Sequence, residues 1–156
     1  MPEQPAPVPV RGCVVVGVDG SPTSLQALRW AKFLADTTGS TMQAVIAWQP
    51  PAEYGWSGLG WPTDWDPAAD AGRVLDEAVR STFGAEPPAG LERTVHEGNA
   101  AQALLDAGHG ARQLVVGSRG HGGFAGLLLG SVSAACAEHA TCPVLVVHGS
   151  TPPPSS

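Results

Sequence analysis

The stretch CVVVGVDG, residues 13–20, governs the reading of the whole chain. It is an almost unbroken run of β-branched residues that stops at a glycine. A strand with one solvated face alternates apolar and polar residues, whereas a strand covered on both faces is apolar throughout. The run is therefore predicted to be a strand buried on both sides, which places it in a parallel sheet. Next comes SPTSLQALRWAKFLADTTG, residues 21–39. Ser21 stands at an N-cap and Pro22 at the first helical position. Leu25, Leu28, Ala31 and either Leu34 or Ala35 mark one apolar face, and Gly39 ends the helix.

Outward from this unit the alternation continues. TMQAVIAW (41–48) reads as a second strand and AADAGRVLDEAVRSTF (68–83) as a helix with Ala71, Leu75, Ala78 and Val79 inward. Between them lies a long loop that carries Trp56, Trp61 and Trp65 and is read as packing against the sheet edge, with a lid or an interaction surface as the alternatives. LERTV (91–95) is a weaker third strand. Asn99 with Gln102 has the spacing of a capping box and opens the helix AAQALLDAGHG (100–110). QLVV (113–116) is strand four, SVSAACAEHA (131–140) a short helix, and PVLVVH (143–148) strand five. Strand-helix repeated four times with a closing strand predicts an α/β domain: an open five-stranded parallel sheet with helices on both faces.

The 156 residues suit one such domain, and no internal repeat suggests a tandem pair. The proline-rich start, MPEQPAPVPVR (1–11), and the end, GSTPPPSS (149–156), are read as disordered arms. No secretory signal and no membrane-length apolar run is present, so a cytoplasmic, soluble chain without a membrane role is expected. A net charge of −6, with Lys32 the one lysine beside seven arginines, is the wrong sign for a nucleic-acid binder. The three cysteines, Cys13, Cys136 and Cys142, lack metal-ligand spacing, and reduced packing thiols are expected. His96, His109, His139 and His148 are isolated and read as surface or helix-end residues.

The chemistry is expected where strand four ends. GSRGHGGFAGLLLGSVS (117–133) holds six glycines in seventeen residues, more than a tight turn needs. Bare backbone lets successive N–H groups converge on an anion. Gly130 and Ser131 stand where the next helix starts, so unpaired N–H groups and the positive helix end point to the same place. Ser131 and Ser133 would add hydroxyl donors, and Arg119 and His121 charge. Gly120 and Gly130 should either face the ligand without a Cβ or adopt backbone angles that other residues avoid. Ligands of open parallel sheets lie at the carboxyl ends of the strands, where strand order reverses. Were strands one and four neighbours, Asp19 would face the glycine loop across one crevice. The P-loop pattern is absent, while Gly120-x-Gly122-x-x-Ala125 satisfies a loose dinucleotide fingerprint.

Gly117-x-x-Gly120, nine further residues and then Gly130-Ser131 is similar to the G-2x-G-9x-G-S/T motif of the universal stress protein family, in its ATP-binding branch. VVVGVDGSPTS resembles that family's first strand and aspartate; LVVGSRG and CPVLVVH resemble its fourth and fifth strands. The similarity spans residues 12–148. It implies a Rossmann-like fold of the adenine nucleotide alpha-hydrolase kind, with strand order 3-2-1-4-5. It further implies bound ATP with Mg2+ bridged by the phosphates. In that arrangement Asp19 meets ribose or the metal-bridged phosphates and the Ala47 backbone meets adenine. Gly117, Gly120, Gly130, Ser131 and Val132 hold ribose and phosphates, with Arg119, His121 and Ser133 alongside. Asn99 stands where family members often carry proline, and it suffices as a cap. No catalytic residue is assigned, since one carboxylate is thin equipment for rapid turnover. The expected function is regulatory ATP binding with slow or no hydrolysis. Two other readings stay open: a dinucleotide-dependent enzyme using Gly120–Ala125, and an interaction module with an empty site. The final strand, 143–148, is apolar and lies at a sheet edge, so a homodimer along it is expected, as the resemblance also implies.

Overall fold

The computed structural model describes residues 12–49, 66–119, 129–149 and 151–154. In chain order the elements are β1 (Cys13–Gly17), α1 (Pro22–Thr38), β2 (Thr41–Trp48), α2 (Pro67–Phe83), β3 (Glu92–Glu97), α3 (Ala100–Gly108), β4 (Gln113–Gly117), α4 (Ser131–His139) and β5 (Val144–Val147). The strands form one parallel sheet of order β3-β2-β1-β4-β5, as expected. The tryptophans of the long loop lie outside the described residues, as do the N-terminal arm and Ser155 and Ser156 of the tail.

The continuous apolar run of β1 is explained by its central position. It pairs with β2 on one side and β4 on the other, so Val15 is flanked by Gln43 and Leu114. Val14 and Val16 point to one layer with Met42, Ala44 and Ile46, under Ala27, Leu28 and Ala31 of α1 and Leu75 and Val79 of α2. Val15 points the other way, with Val45, Leu114 and Val116, under Ala103 and Leu104 of α3 and Cys136 of α4. Helices thus cover both faces. Each fully buried valine contributes about 1.5–3 kcal/mol relative to exposure. The edge strand β3 has no such double cover and is mostly exposed, which accounts for its weaker sequence signal.

The helix boundaries follow from local chemistry. Ser21 caps α1 by accepting a hydrogen bond from the Ser24 N–H, and Gly39 closes the helix in the left-handed conformation. Helix α2 begins one residue earlier than its apolar pattern indicates. Asp66 and Pro67 repeat the cap-then-proline arrangement, and the Asp66 carboxylate accepts from the Ala69 N–H at 3.1 Å. The capping box at α3 is only half formed. Asn99 Oδ1 accepts from the Gln102 N–H at 3.0 Å, but the Gln102 amide donates to Asp106 at 2.8 Å instead of returning to the cap. The box needs the Gln102 carbonyl oxygen to accept from the Asn99 N–H, and a side chain extended toward Asp106 points away from it.

All three cysteines are free thiols. Burial on the sheet-facing side of α4, together with the neighbouring Cys142 thiol, pushes Cys136 up to about 11. Burial also raises Cys13 and Cys142. Among the described residues no cluster of three or more His, Cys, Asp or Glu is arranged to hold a metal, and no helix is long and apolar enough to cross a membrane.

Candidate functional site

Strand order reverses between β1 and β4, and a crevice opens there at the carboxyl ends of the strands. It contains about 800 Å³ of atom-free space, including the part open to solvent. Gly17, Val18 and Asp19 after β1, Val45 and Ala47 of β2, and Val116, Gly117 and Arg119 at the end of β4 line it. Ser21 and Ser24 of the α1 start, Ala100 and Leu104 of α3, and Gly130 with Ser131, Val132 and Ser133 of the α4 start complete the wall. Asp19, Ala47, Gly117, Arg119, Gly130, Ser131, Val132 and Ser133, all singled out from the sequence, therefore share one cavity. Gly120 and His121, and with them the Gly120–Ala125 fingerprint, lie outside the described residues.

The Asp19 side of the crevice is a tight turn. Gly20 has φ of +82°, a region that favours glycine, so the chain can reverse directly after the aspartate. Asp19 Oδ1 then accepts from the Ser21 N–H at 2.9 Å. Three of the four helix N-termini line the crevice. In α1 and α3 the first-turn N–H groups are capped by Ser21 and Asn99 side chains. At α4 the N-cap is Gly130, no side chain caps it, and no acidic residue occupies the first turn. An uncapped helix start of this kind presents N–H groups and the positive end of the helix dipole to whatever fills the crevice.

The glycines play different parts. Gly130 has φ of −71°, which any residue adopts, so backbone angle is not the reason for glycine there. Gly117 is demanded by packing. A Cβ on it would lie 2.7 Å from Thr23 Oγ1, 2.9 Å from Thr23 Cβ and 3.0 Å from the Thr23 backbone carbon. The strand end and the start of α1 are in direct contact. Ser133 is 2 % exposed, and its hydroxyl donates to the carbonyls of Ser118 at 2.9 Å and Gly130 at 3.1 Å. The Gly130 N–H also donates to Ser118 O, at 2.7 Å. Ser133 thus ties the two ends of the glycine loop together, leaving Ser131 as the exposed hydroxyl at the helix start.

The apolar lining formed by Val18, Val45, Ala100 and Leu104 was not singled out from the sequence. Ala100 and Leu104 are four apart and so share a helix face, but the same spacing serves ordinary core packing. Leu104 does both, since a Cβ on Gly17 would lie 2.7 Å from its Cδ1.

The universal stress protein family model matches residues 12–148. The chain belongs to the universal stress protein family. Universal stress protein Rv2623 of Mycobacterium tuberculosis is 35% identical over 144 residues, covering 92% of this chain and 48% of that protein. The chain spans about half the length of the curated relatives it matches. A universal stress protein crystallised in complex with cAMP is 30% identical, with a TM-score of 0.56 over 88% of this chain and 96% of that one. A family member from Arabidopsis thaliana with AMP bound has a TM-score of 0.54 at 18% identity, over 88% of this chain and 91% of that chain, a likeness of fold alone.

Proposed function

We propose that this universal stress protein family member binds an adenine nucleotide, ATP with Mg2+, in the crevice between β1 and β4, as a regulatory binder with slow or no hydrolysis. The observation that carries the reading is the uncapped start of α4 at Gly130 and Ser131, which lines one cavity with Asp19 and an apolar wall. The residues fit the group. N–H donors and a hydroxyl suit phosphate, and the Val18, Val45, Ala100 and Leu104 wall suits a purine. The cAMP complex of a universal stress protein 30% identical to this chain supports an adenine nucleotide as the ligand class.

In this reading Ser131 Oγ and the first-turn amides of α4 take the phosphates, Gly130 lets them approach, and Ala47 lies beside the base. Mg2+ would neutralise phosphate charge, with Asp19 holding it directly or through water. The same carboxylate would orient the ribose side of the ligand. No second acid or base was assigned beside it, and rapid hydrolysis usually combines several positioned groups. Turnover at the roughly 1–100 per second of kinases would contradict the binding role. The direct experiment is to purify the full chain, release bound small molecules and read their absorbance and mass. An adenine nucleotide is expected. A nicotinamide or flavin dinucleotide would favour a redox enzyme, and an empty protein that also fails to take up ATP would favour an interaction module.

β5 is an outer strand of the sheet, and Val144, Leu145 and Val146 are only half buried there. A second copy of the chain paired along 143–148 would cover that edge.

A further inference from the structure

The two loops that border the crevice are joined by a side chain that does not line it. We infer that Thr23 is a positioning residue: its hydroxyl latches the chain leaving β4 to the start of α1, and so fixes the distance between Asp19 and the glycine loop. The inference rests on the nucleotide-binding reading for its functional consequence, but the latch itself is a property of the protein alone.

Thr23 Oγ1 donates to the carbonyl of Arg119, across 96 residues of sequence. With its proton spent there, Thr23 Oγ1 accepts from the Ser21 hydroxyl at 3.3 Å. Ser21 Oγ in turn accepts from the Ser24 N–H, also at 3.3 Å, and the Ser21 N–H donates to the Asp19 carboxylate at 2.9 Å. Through Ser21, polar contacts therefore run from the Asp19 carboxylate to the backbone at the mouth of the glycine loop. Donors and acceptors balance along the way, each hydroxyl giving one proton and using one lone pair. The body of Thr23 packs where Gly117 has no side chain, so strand end and helix start approach closely enough for the latch to form. On the far side of the same loop, Ser118 O is held by Gly130 N–H and Ser133 Oγ. Two adjacent carbonyls, Ser118 and Arg119, are thus anchored in different directions, one to α4 and one to α1. That arrangement sets both the entry and the exit of the loop, and it identifies Thr23 as the link by which a change at Asp19 reaches the glycine loop.

The test compares wild type with Thr23→Val, which keeps the shape and removes the hydroxyl, and Thr23→Ser, which keeps the hydroxyl. Hydrogen exchange without ligand is followed over peptides covering 117–119 and 129–133. Faster exchange there in Thr23→Val, with Thr23→Ser near wild type and the rest of α1 unchanged, is the expected result. ATP with magnesium is then titrated into all three. Loss of one neutral hydrogen bond should weaken binding by about 2- to 12-fold in Thr23→Val only. Exchange that is the same in Thr23→Val and wild type overturns the latch. So does equal loosening in Thr23→Ser; unchanged ATP affinity in a Thr23→Val protein that binds ATP overturns the positioning role. Altered exchange in a chain that binds no nucleotide in any form supports the latch and overturns the nucleotide reading instead. Should Thr23→Val fail to fold, Thr23→Ala carries the same comparison.

Discussion

At the scale of single residues, Gly130, Ser131 and Gly117 divide the work of the glycine loop. Ser131→Ala should weaken ATP binding by about 10- to 150-fold, because a hydrogen bond to a charged group contributes about 1.5–3 kcal/mol. Calorimetric titration with circular dichroism as folding control measures it. Gly117→Ala should instead lower stability by about 1–3 kcal/mol, the usual cost of overpacking. Its new Cβ would press on Thr23 atoms that include backbone, which cannot swing away. Urea unfolding checks that change. From sequence the two glycines look alike, since both stand in one motif. Their difference depends on which neighbour a Cβ would meet, a three-dimensional fact that no spacing encodes. Ser133 is a similar case: its hydroxyl is a donor in either role, and only the fold shows it aimed at Ser118 and Gly130. Cys136 allows a test of burial. Its thiol is raised to about 11 when folded, so above the ordinary thiol value the unfolded chain gives up the proton first. Its contribution to stability is complete below about pH 9 and is lost as pH rises through about 11. Unfolding midpoints at pH 8 and pH 11 should therefore converge between wild type and Cys136→Ala at the higher pH, relative to their separation at the lower.

At the scale of elements, the helix starts were the most legible feature of the chain. Ser21-Pro22 and Asn99 announce their caps because the side chain that accepts the N–H is in the sequence itself. Asn99→Ala should cost about 1 kcal/mol, while Asn99→Asp should be tolerated, since the carboxylate keeps the acceptor and favours the helix dipole. Thermal unfolding of both variants checks this. The return arm of the expected capping box failed because Gln102 finds Asp106 one turn on. That competition lies outside the four-residue motif. The uncapped start of α4 is the informative exception. Where α1, α2 and α3 each spend a side chain on the first turn, Gly130 offers none. In the proposed reading those donors are left for the nucleotide.

At the scale of the whole molecule, the order β3-β2-β1-β4-β5 turns two distant loops into one crevice. The continuous apolar run of residues 13–18 made the parallel sheet readable, since only a doubly covered strand needs it. The crevice between β1 and β4 was readable only by supposing that those strands are neighbours. The apolar wall could not be separated from core packing in advance, because Leu104 serves both. The edge position of β5 leads to a prediction about assembly. Sedimentation at micromolar concentration should show a dimer, and Val146→Lys should dissociate it; a wild-type monomer, or a dimer indifferent to that charge, would reject pairing along 143–148. The central claim, that the β1–β4 crevice holds ATP by the start of α4, is tested most directly by calorimetric titration of ATP with magnesium into wild type and a folded Gly130→Val variant. Binding by wild type and a loss greater than that of Ser131→Ala in Gly130→Val is the expected result. Equal affinity in the two proteins would contradict it, since the nucleotide would then lie elsewhere.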